Sequence, residues 1–286
     1  MKQFILGKEP DKDGLVRLEG GDYRYLVRVR RYAVGEFFPA ILPNGKETLV
    51  QVISINHNTL TGKCSRSDSA SNIEASEQNL NQYNNLIPPI ILFQAMPKGD
   101  KMDLIVRQAA ENGITEIVPF MSEFSIGKIN ARGEKFSRWE RIIKEARQQS
   151  GSKIATSVCP LQSISDVFDY WKKINETCAA EGANGDGALG VLFHHDRNSV
   201  HGGLENNCLH RYLDIDPEIV ALVIGPEGGF SDREAALFMD VGFKPVTIGD
   251  TVLRTETAAV FCTAAIRILL LERNSWELKQ MKPYSA

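Results

Sequence analysis

The chain has 286 residues, 43% hydrophobic and 24% charged, with a formal net charge of −3, proportions that exclude a disordered or collagen-like chain. The length allows two domains or one large one, and the mild negative charge gives no reason for whole-surface nucleic-acid binding, although local basic patches stay open. Five scattered cysteines (Cys64, Cys159, Cys178, Cys208, Cys262) contain no C-x-x-C pair, which suits reduced thiols in a cytoplasmic protein and not a disulfide framework.

The N-terminal MKQFILGKEP carries too short an apolar run for a signal peptide. The first 65 or so residues then read as short strands, EFFPAIL, ETLVQVISIN and TLTGKCS, broken by PNGKE and NHN, a pattern of a small barrel or sandwich. DYRYLVRVRRYAVGE differs, because helical spacing sorts it more cleanly than strand alternation. Tyr25, Leu26, Val29 and Tyr32 would form its apolar stripe, Arg24, Arg28 and Arg31 the other face, and Asp22 the cap. SRSDSASNIEASEQNLNQYNN is polar and aromatic-poor, as expected of a linker or an exposed excursion.

From Leu86 strands and helices alternate. The strands are IILFQAM, ITEIVPF, GALGVLFHH, EIVALVIG and KPVTIG. The helices are DKMDLIVRQAAENG, closed by Gly113, GEKFSRWERIIKEARQQSG, a weaker SDVFDYWKKI, SDREAALFMDVG and the long TETAAVFCTAAIRILLLERNSW. That alternation predicts a parallel α/β sheet covered on both faces. The greasiest run, AAVFCTAAIRILLL, contains Arg267 and has 14 residues, short of the roughly 20 that span a bilayer.

Two loops carry the chemical signal. ALVIGPEGGFSDREA leads an apolar strand into Gly-Pro-Glu-Gly-Gly and then a helix. The carboxyl end of a parallel strand is where ligands bind, but Glu227 has the wrong sign for a Walker loop, and no G-x-G-x-x-G is present. VTIGDTVLRTETAA repeats the construction, with Gly249 after a strand and Thr255 where a helix should be capped. Together such loops can enclose a flat adenine and ribose.

IGPEGGFSDREA followed by IGDTVLRTETAA resembles the paired motifs of the SPOUT-superfamily ribosomal RNA uridine N3-methyltransferases, the small-subunit methyltransferase E family. KGDKMDLIVRQAAENGITEIVPFMSEFS, RWERIIKEARQQSG and RYLVRVRRYAVGE are similar to that family's first α/β motif, its next helix and the basic segment of its N-terminal domain. The resemblance implies an N-terminal PUA-like RNA-binding β-barrel (residues 1–70), a linker (71–85) and an α/β domain (86–286) with a deep trefoil knot. It also implies S-adenosylmethionine (SAM) as cofactor, small-subunit ribosomal RNA as partner and a homodimer; neither metal nor membrane is expected. Ile224, Gly225, Pro226, Glu227, Gly228, Gly229, Ile248, Gly249, Val252, Leu253 and Thr257 would hold the cofactor. Gly228 would let the backbone approach it, and Glu227 would tolerate its cationic groups. A ribose 2′-O-methyltransferase, or an RNA-binding protein without catalysis, are the alternatives.

Methylation at uracil N3 needs removal of an imide proton and an in-line approach, so positioning carries much of the acceleration. Arg254 is expected to stabilise charge developing on the uracil carbonyls. Glu256 would either take the proton or orient Arg254. Arg24, Arg28, Arg31, Lys98, Lys101 and Arg138 are the candidate RNA contacts. His194, His195, Cys208 and His210 match no standard zinc spacing, His194 and His195 instead ending a strand beside the cofactor pocket.

Overall fold

The computed structural model describes residues 4–65, 87–126, 134–180, 186–194, 208–248 and 251–280. The chain divides into two compact units, residues 1–80 with 144–155, and residues 81–143 with 156–286.

The first unit is built on a five-stranded sheet in the order β1-β3-β4-β5-β2. Its strands are β1 (Phe4–Ile5), β2 (Leu15–Glu19), β3 (Phe37–Ile41), β4 (Glu47–Asn56) and β5 (Thr59–Ser65). β1 pairs with β3 in parallel, and the other pairings are antiparallel. Alternation turns Val16, Leu18, Phe38, Ala40, Val50, Val52 and Leu60 into one core with Phe4 and Leu6. β4 and β5 fall where alternation and Asn punctuation predict them. β1 and β2 were not expected: β1 has only two residues, too few for a periodic signal.

The basic segment departs from the expected regular helix. A single α-helical turn, α1 (Gly20–Tyr23), passes directly into a π-helix over Arg24–Val29, with the Arg30 amide donating to the Tyr25 carbonyl at 2.9 Å, five residues back. Each wide turn accommodates one extra residue, so the stripe shifts. Tyr23 and Leu26 are buried, while Val29 is 67% exposed and leaves the core. Asp22 does not cap the helix; it lies in the first turn, 2.7 Å from Lys144 Nζ. Arg31 lies beyond the helix in the left-handed region (φ 61°), while Arg24 and Arg28 are exposed. The guanidinium of Arg30 stands 6.0 Å over the Tyr32 ring.

The second unit holds a parallel sheet in the order β12-β10-β11-β6-β7-β8, with β9 also paired to β7. Its strands are β6 (Ile90–Ala95), β7 (Glu116–Met121), β8 (Ser157–Val158), β9 (Gln162–Ser163), β10 (Ala188–Phe193), β11 (Ile219–Ile224) and β12 (Lys244–Val246). The helices are α2 (Lys101–Glu111), α3 (Glu134–Ser150, whose last residues group with the first unit), α4 (Ile164–Ala180), α5 (Leu209–Tyr212), α6 (Asp232–Asp240) and α7 (Thr255–Gln280). All six residues of β6 are buried, as in a sheet covered on both faces, which is why these strands read as apolar runs and not as alternation. The helix expected at SDVFDYWKKI runs on to Ala180, because Val167, Trp171, Ile174 and Cys178 keep one face buried. β8 and β9, two residues each, escaped prediction for the same reason as β1.

Chain order places β7 and β8 on one side of β6 and β10 to β12 on the other, with β11 inserted between β10 and β6. The carboxyl ends of strands flanking such a reversal form a crevice open to ligands. α6 is fixed beside it by a capping box: Ser231 Oγ accepts from the Glu234 amide, and the Glu234 carboxylate accepts from the Ser231 amide. The buried Glu234 also accepts from the Glu123 amide at 2.8 Å, tying the end of β7 to this helix.

Ring packing in the core fixes one glycine. A Cβ at Gly190 in β10 would lie 2.7 Å from Phe243 and 2.9 Å from Trp171, and those two rings already pack at 4.6 Å between centroids. Gly190→Ala should therefore destabilise the protein by about 1–3 kcal/mol through overpacking. A lowered thermal midpoint is the expected reading, and an unchanged one would mean that the rings yield freely.

Candidate active site

A cavity opens at the carboxyl ends of β10, β11 and β12, within the second unit. Phe193 and His194 come from the end of β10, Ile224 from β11 and Val246 from β12. The Gly225–Phe230 loop supplies Gly225, Pro226, Glu227, Gly229 and Phe230; the segment entering α7 supplies Ile248, Thr251, Val252, Leu253, Thr255 and Ala258. Aliphatic and aromatic side chains thus line a space bordered by glycine backbone and one carboxylate.

Of the cofactor residues expected from sequence, Ile224, Gly225, Pro226, Glu227, Gly229, Ile248, Val252 and Leu253 line this cavity; Gly228 and Thr257 do not. Gly249 and His195 lie outside the described residues. The reason expected for Gly228 changes with the geometry. Its missing side chain points at Phe124, whose Cβ would lie 2.9 Å from an added Cβ, so the absence of a side chain serves loop packing. Gly225 also serves the loop: a Cβ there would meet Phe230 at 3.3 Å and Gly229 at 3.4 Å. Gly229 adopts φ 70°, where a side chain is costly, and its amide closes a turn onto the Pro226 carbonyl at 2.9 Å.

Thr255, expected as a helix cap, directs its hydroxyl away from its own helix. It is the first residue of α7, buried, and its hydroxyl donates to the Gly225 carbonyl at 2.6 Å while accepting from Gln94 Nε2 at 3.2 Å. Gln94 is fully buried in β6, and its Oε1 has no hydrogen-bond partner among the described residues. The signal for Gln94 was available as the one polar residue in IILFQAM, since a buried amide implies a specific partner.

Charge at the rim is arranged differently from expectation. Lys101 Nζ donates to Glu227 Oε1 at 2.7 Å and lies 3.4 Å from Glu256 Oε2. Glu227 also accepts from the Lys98 amide, at 3.2 Å to each oxygen. Partial burial pushes the Glu227 carboxyl up, but the hydrogen bond from Lys101, aided by backbone amides, holds it below the ordinary carboxylate range. The bond to Glu227 raises the Lys101 ammonium. Glu227 is therefore already paired within the chain, and Lys101 is engaged by two carboxylates.

Glu256 pairs with Lys101 and not with Arg254, contrary to an orienting role toward Arg254. Arg254 is exposed immediately before α7, outside the cavity lining, and makes no ion pair among the described residues. Arg138 is paired with Asp103, which also accepts from the Trp139 indole at 3.0 Å. Lys98 is exposed. Cys262, on α7, is fully buried, and desolvation pushes its thiol far above the ordinary value, as suits a core residue. No three His, Cys, Asp or Glu side chains among the described residues converge as a metal site would require.

The family model for the RNA methyltransferase domain matches residues 84–267, and that for the RNA methyltransferase PUA domain matches residues 18–63. A protein of Synechocystis named ribosomal RNA small subunit methyltransferase E is 27% identical over 270 residues, covering 94% of this chain and 78% of its own length. Its namesake in Aquifex aeolicus is 32% identical over 177 residues, 61% of this chain and 67% of its own. Among solved structures, a probable rRNA-methyltransferase from Porphyromonas gingivalis superposes with a TM-score of 0.69 at 21% identity. The ribosomal RNA small subunit methyltransferase E from Neisseria gonorrhoeae, bound to S-adenosyl methionine, superposes at 0.67 and 23%. Both alignments cover 94% of this chain and 98% of the other, and they establish a shared fold. With its matched domain spanning most of the length, this chain belongs to the RNA methyltransferase domain family.

Proposed function

We propose that this protein is a SAM-dependent methyltransferase that modifies N3 of a uridine in small-subunit ribosomal RNA. The observation that carries this reading is the strand-end cavity, walled by apolar side chains and glycine backbone, in a chain of the RNA methyltransferase family. The residues present fit the cofactor. Ile248, Val252 and Leu253 offer apolar surface for a purine, and Gly225 and Gly229 offer backbone polar edges without side-chain bulk. When bound, SAM supplies an activated methyl group. The chain's own residues supply binding, orientation and charge.

A uridine can expose N3 only when unpaired or flipped, because that nitrogen lies on its pairing edge. Arg254, exposed at the rim, is free to reach an incoming base and to stabilise negative charge on its carbonyls. In this proposal Glu256, on the first turn of α7, accepts the imide proton. Residues 1–70 serve as a PUA-like barrel presenting Arg24, Arg28 and Arg31 to phosphates, a reading supported by the match over 18–63. Lys98 would add a phosphate contact; Lys101 and Arg138 would have to leave their carboxylate partners to do so. Residues 86–286 form the catalytic domain, its chain threaded as a trefoil knot around the cofactor loops. Its active form is a homodimer in the cytoplasm, and Phe261, Ile268 and Leu271, exposed on α7, support the dimer.

Nucleoside analysis of small-subunit ribosomal RNA methylated by the purified protein tests the reading directly. It should yield N3-methyluridine; a 2′-O-methyl nucleoside would replace base with ribose chemistry, and no product would remove the catalytic assignment. Arg254→Ala should lower kcat by roughly 10²–10³, the effect of losing one preorganised donor. Arg254→Lys should recover little of it, since a point charge does not reproduce the planar fork. Loss of RNA affinity with normal single-turnover rate at saturating RNA would make Arg254 a binding residue only.

Replacing Arg24, Arg28 and Arg31 together with alanine should weaken RNA binding. For single-stranded contacts at about 0.7 per phosphate, the log–log salt slope should flatten by about 2. An unaltered slope would leave these arginines as a solvated face.

A further inference from the structure

Three chain segments bound the cavity or its rim: the residues leading from β6 into α2, the Gly225–Phe230 loop, and the first turn of α7. They meet at two points. One is the buried Thr255–Gly225 hydrogen bond. The other is charged and more exposed: Lys101, the first residue of α2, lies between Glu227 of the loop and Glu256 of α7. The Lys98 amide, three residues before α2, reaches the same Glu227 carboxylate, so the segment entering α2 holds the loop through both a side chain and the backbone.

The arrangement has one cation for two carboxylates. Glu256 is the less accessible acid, its side chain 16% exposed against 32% for Glu227. Its Oε2 is buried without a hydrogen bond among the described residues, and the Lys101 ammonium 3.4 Å away compensates its charge. Without that ammonium the loop carboxylate and the helix carboxylate would face each other across the cavity rim, and like charges in partial burial repel strongly. Glu227 belongs to the cavity wall while Lys101 and Glu256 do not, so any movement of Glu227 changes the wall.

We propose that Lys101 is a positioning residue of the cofactor site. Shared between Glu227 and Glu256, its ammonium pins the Gly-Pro-Glu-Gly-Gly loop to the first turn of α7 and holds the cavity in its binding shape. The effect on cofactor rests on the SAM reading above; the effect on the loop does not. Lys101 acts through Glu227 without itself touching the ligand.

The test uses the full-length protein in two measurements. Hydrogen–deuterium exchange of residues 225–231 reports the loop without any ligand, and calorimetric titration with SAM reports the site. Lys101→Met should speed loop exchange and weaken SAM binding about tenfold or more, with the thermal midpoint nearly unchanged. Lys101→Arg should restore both, because a guanidinium can also bridge two carboxylates. Adding Glu227→Gln to Lys101→Met should recover part of the loss, since it removes the repulsion; contacting residues in one network couple non-additively. Equal loop exchange in Lys101→Met and wild type would overturn the clamp. Faster exchange with unchanged SAM affinity would overturn its role in the site. If the wild type fails to bind SAM, the cofactor reading falls, and loop exchange alone decides the clamp. A Lys101→Arg protein as impaired as Lys101→Met would also overturn the proposal, by showing that charge is not what the position supplies.

Discussion

The 2.6 Å hydrogen bond from the Thr255 hydroxyl to the Gly225 carbonyl is the constraint around which the site is arranged. A glycine loop leaving a buried strand has many conformations and few contacts of its own. Here one of its carbonyls is committed to the first residue of the long terminal helix, and that same hydroxyl accepts from Gln94 in the neighbouring strand. Strand, loop and helix are thereby joined through a single oxygen in an environment where an unmade bond is costly. The turn closed by Gly229, the packing of Phe124 on Gly228 and the lysine bridge at the rim all elaborate a loop whose root is already fixed.

The parallel sheet decides where that root can be. Inserting β11 between β10 and β6 sets the Gly225 loop beside the end of β10 and across from the segment after β12. The walls therefore come from places far apart in sequence, Phe193 and Leu253 for instance, while the polar edges come from backbone. Such a division leaves little for side-chain motifs to advertise apart from glycine.

Legibility from sequence followed from the same physics. β6, β10 and β11 are covered on both faces and announce themselves as apolar runs; α2 and α3 end at glycines with φ near 70–80°, a stop visible in the letters. Most of the cavity lining was readable from the two glycine loops because they contribute contiguous residues. Three features were not. Phe193 reaches the cavity through tertiary packing, which no local pattern encodes. The bridge from Lys101 to Glu227 joins positions 126 residues apart. Gly228 reads as room for a ligand, and what the structure sets against it is Phe124; a glycine indicates close approach but not of what.

The wide turns over Arg24–Val29 bear on how this protein could vary in length. A π-helix is in effect an α-helix carrying an insertion, and removing one residue there would let ordinary 3.6-residue turns close. Because the wide turns absorb that residue locally, the chain beyond Val29 would keep its present direction. Tyr32, past the end of the helix, would keep its packing on Phe38 at 5.3 Å between rings, while the spacing of Arg28 from Arg24 around the helix would change. The segment can thus lose one residue inside the helix without disturbing the sheet contact beyond it, and what such a change alters is the angular spread of its exposed arginines.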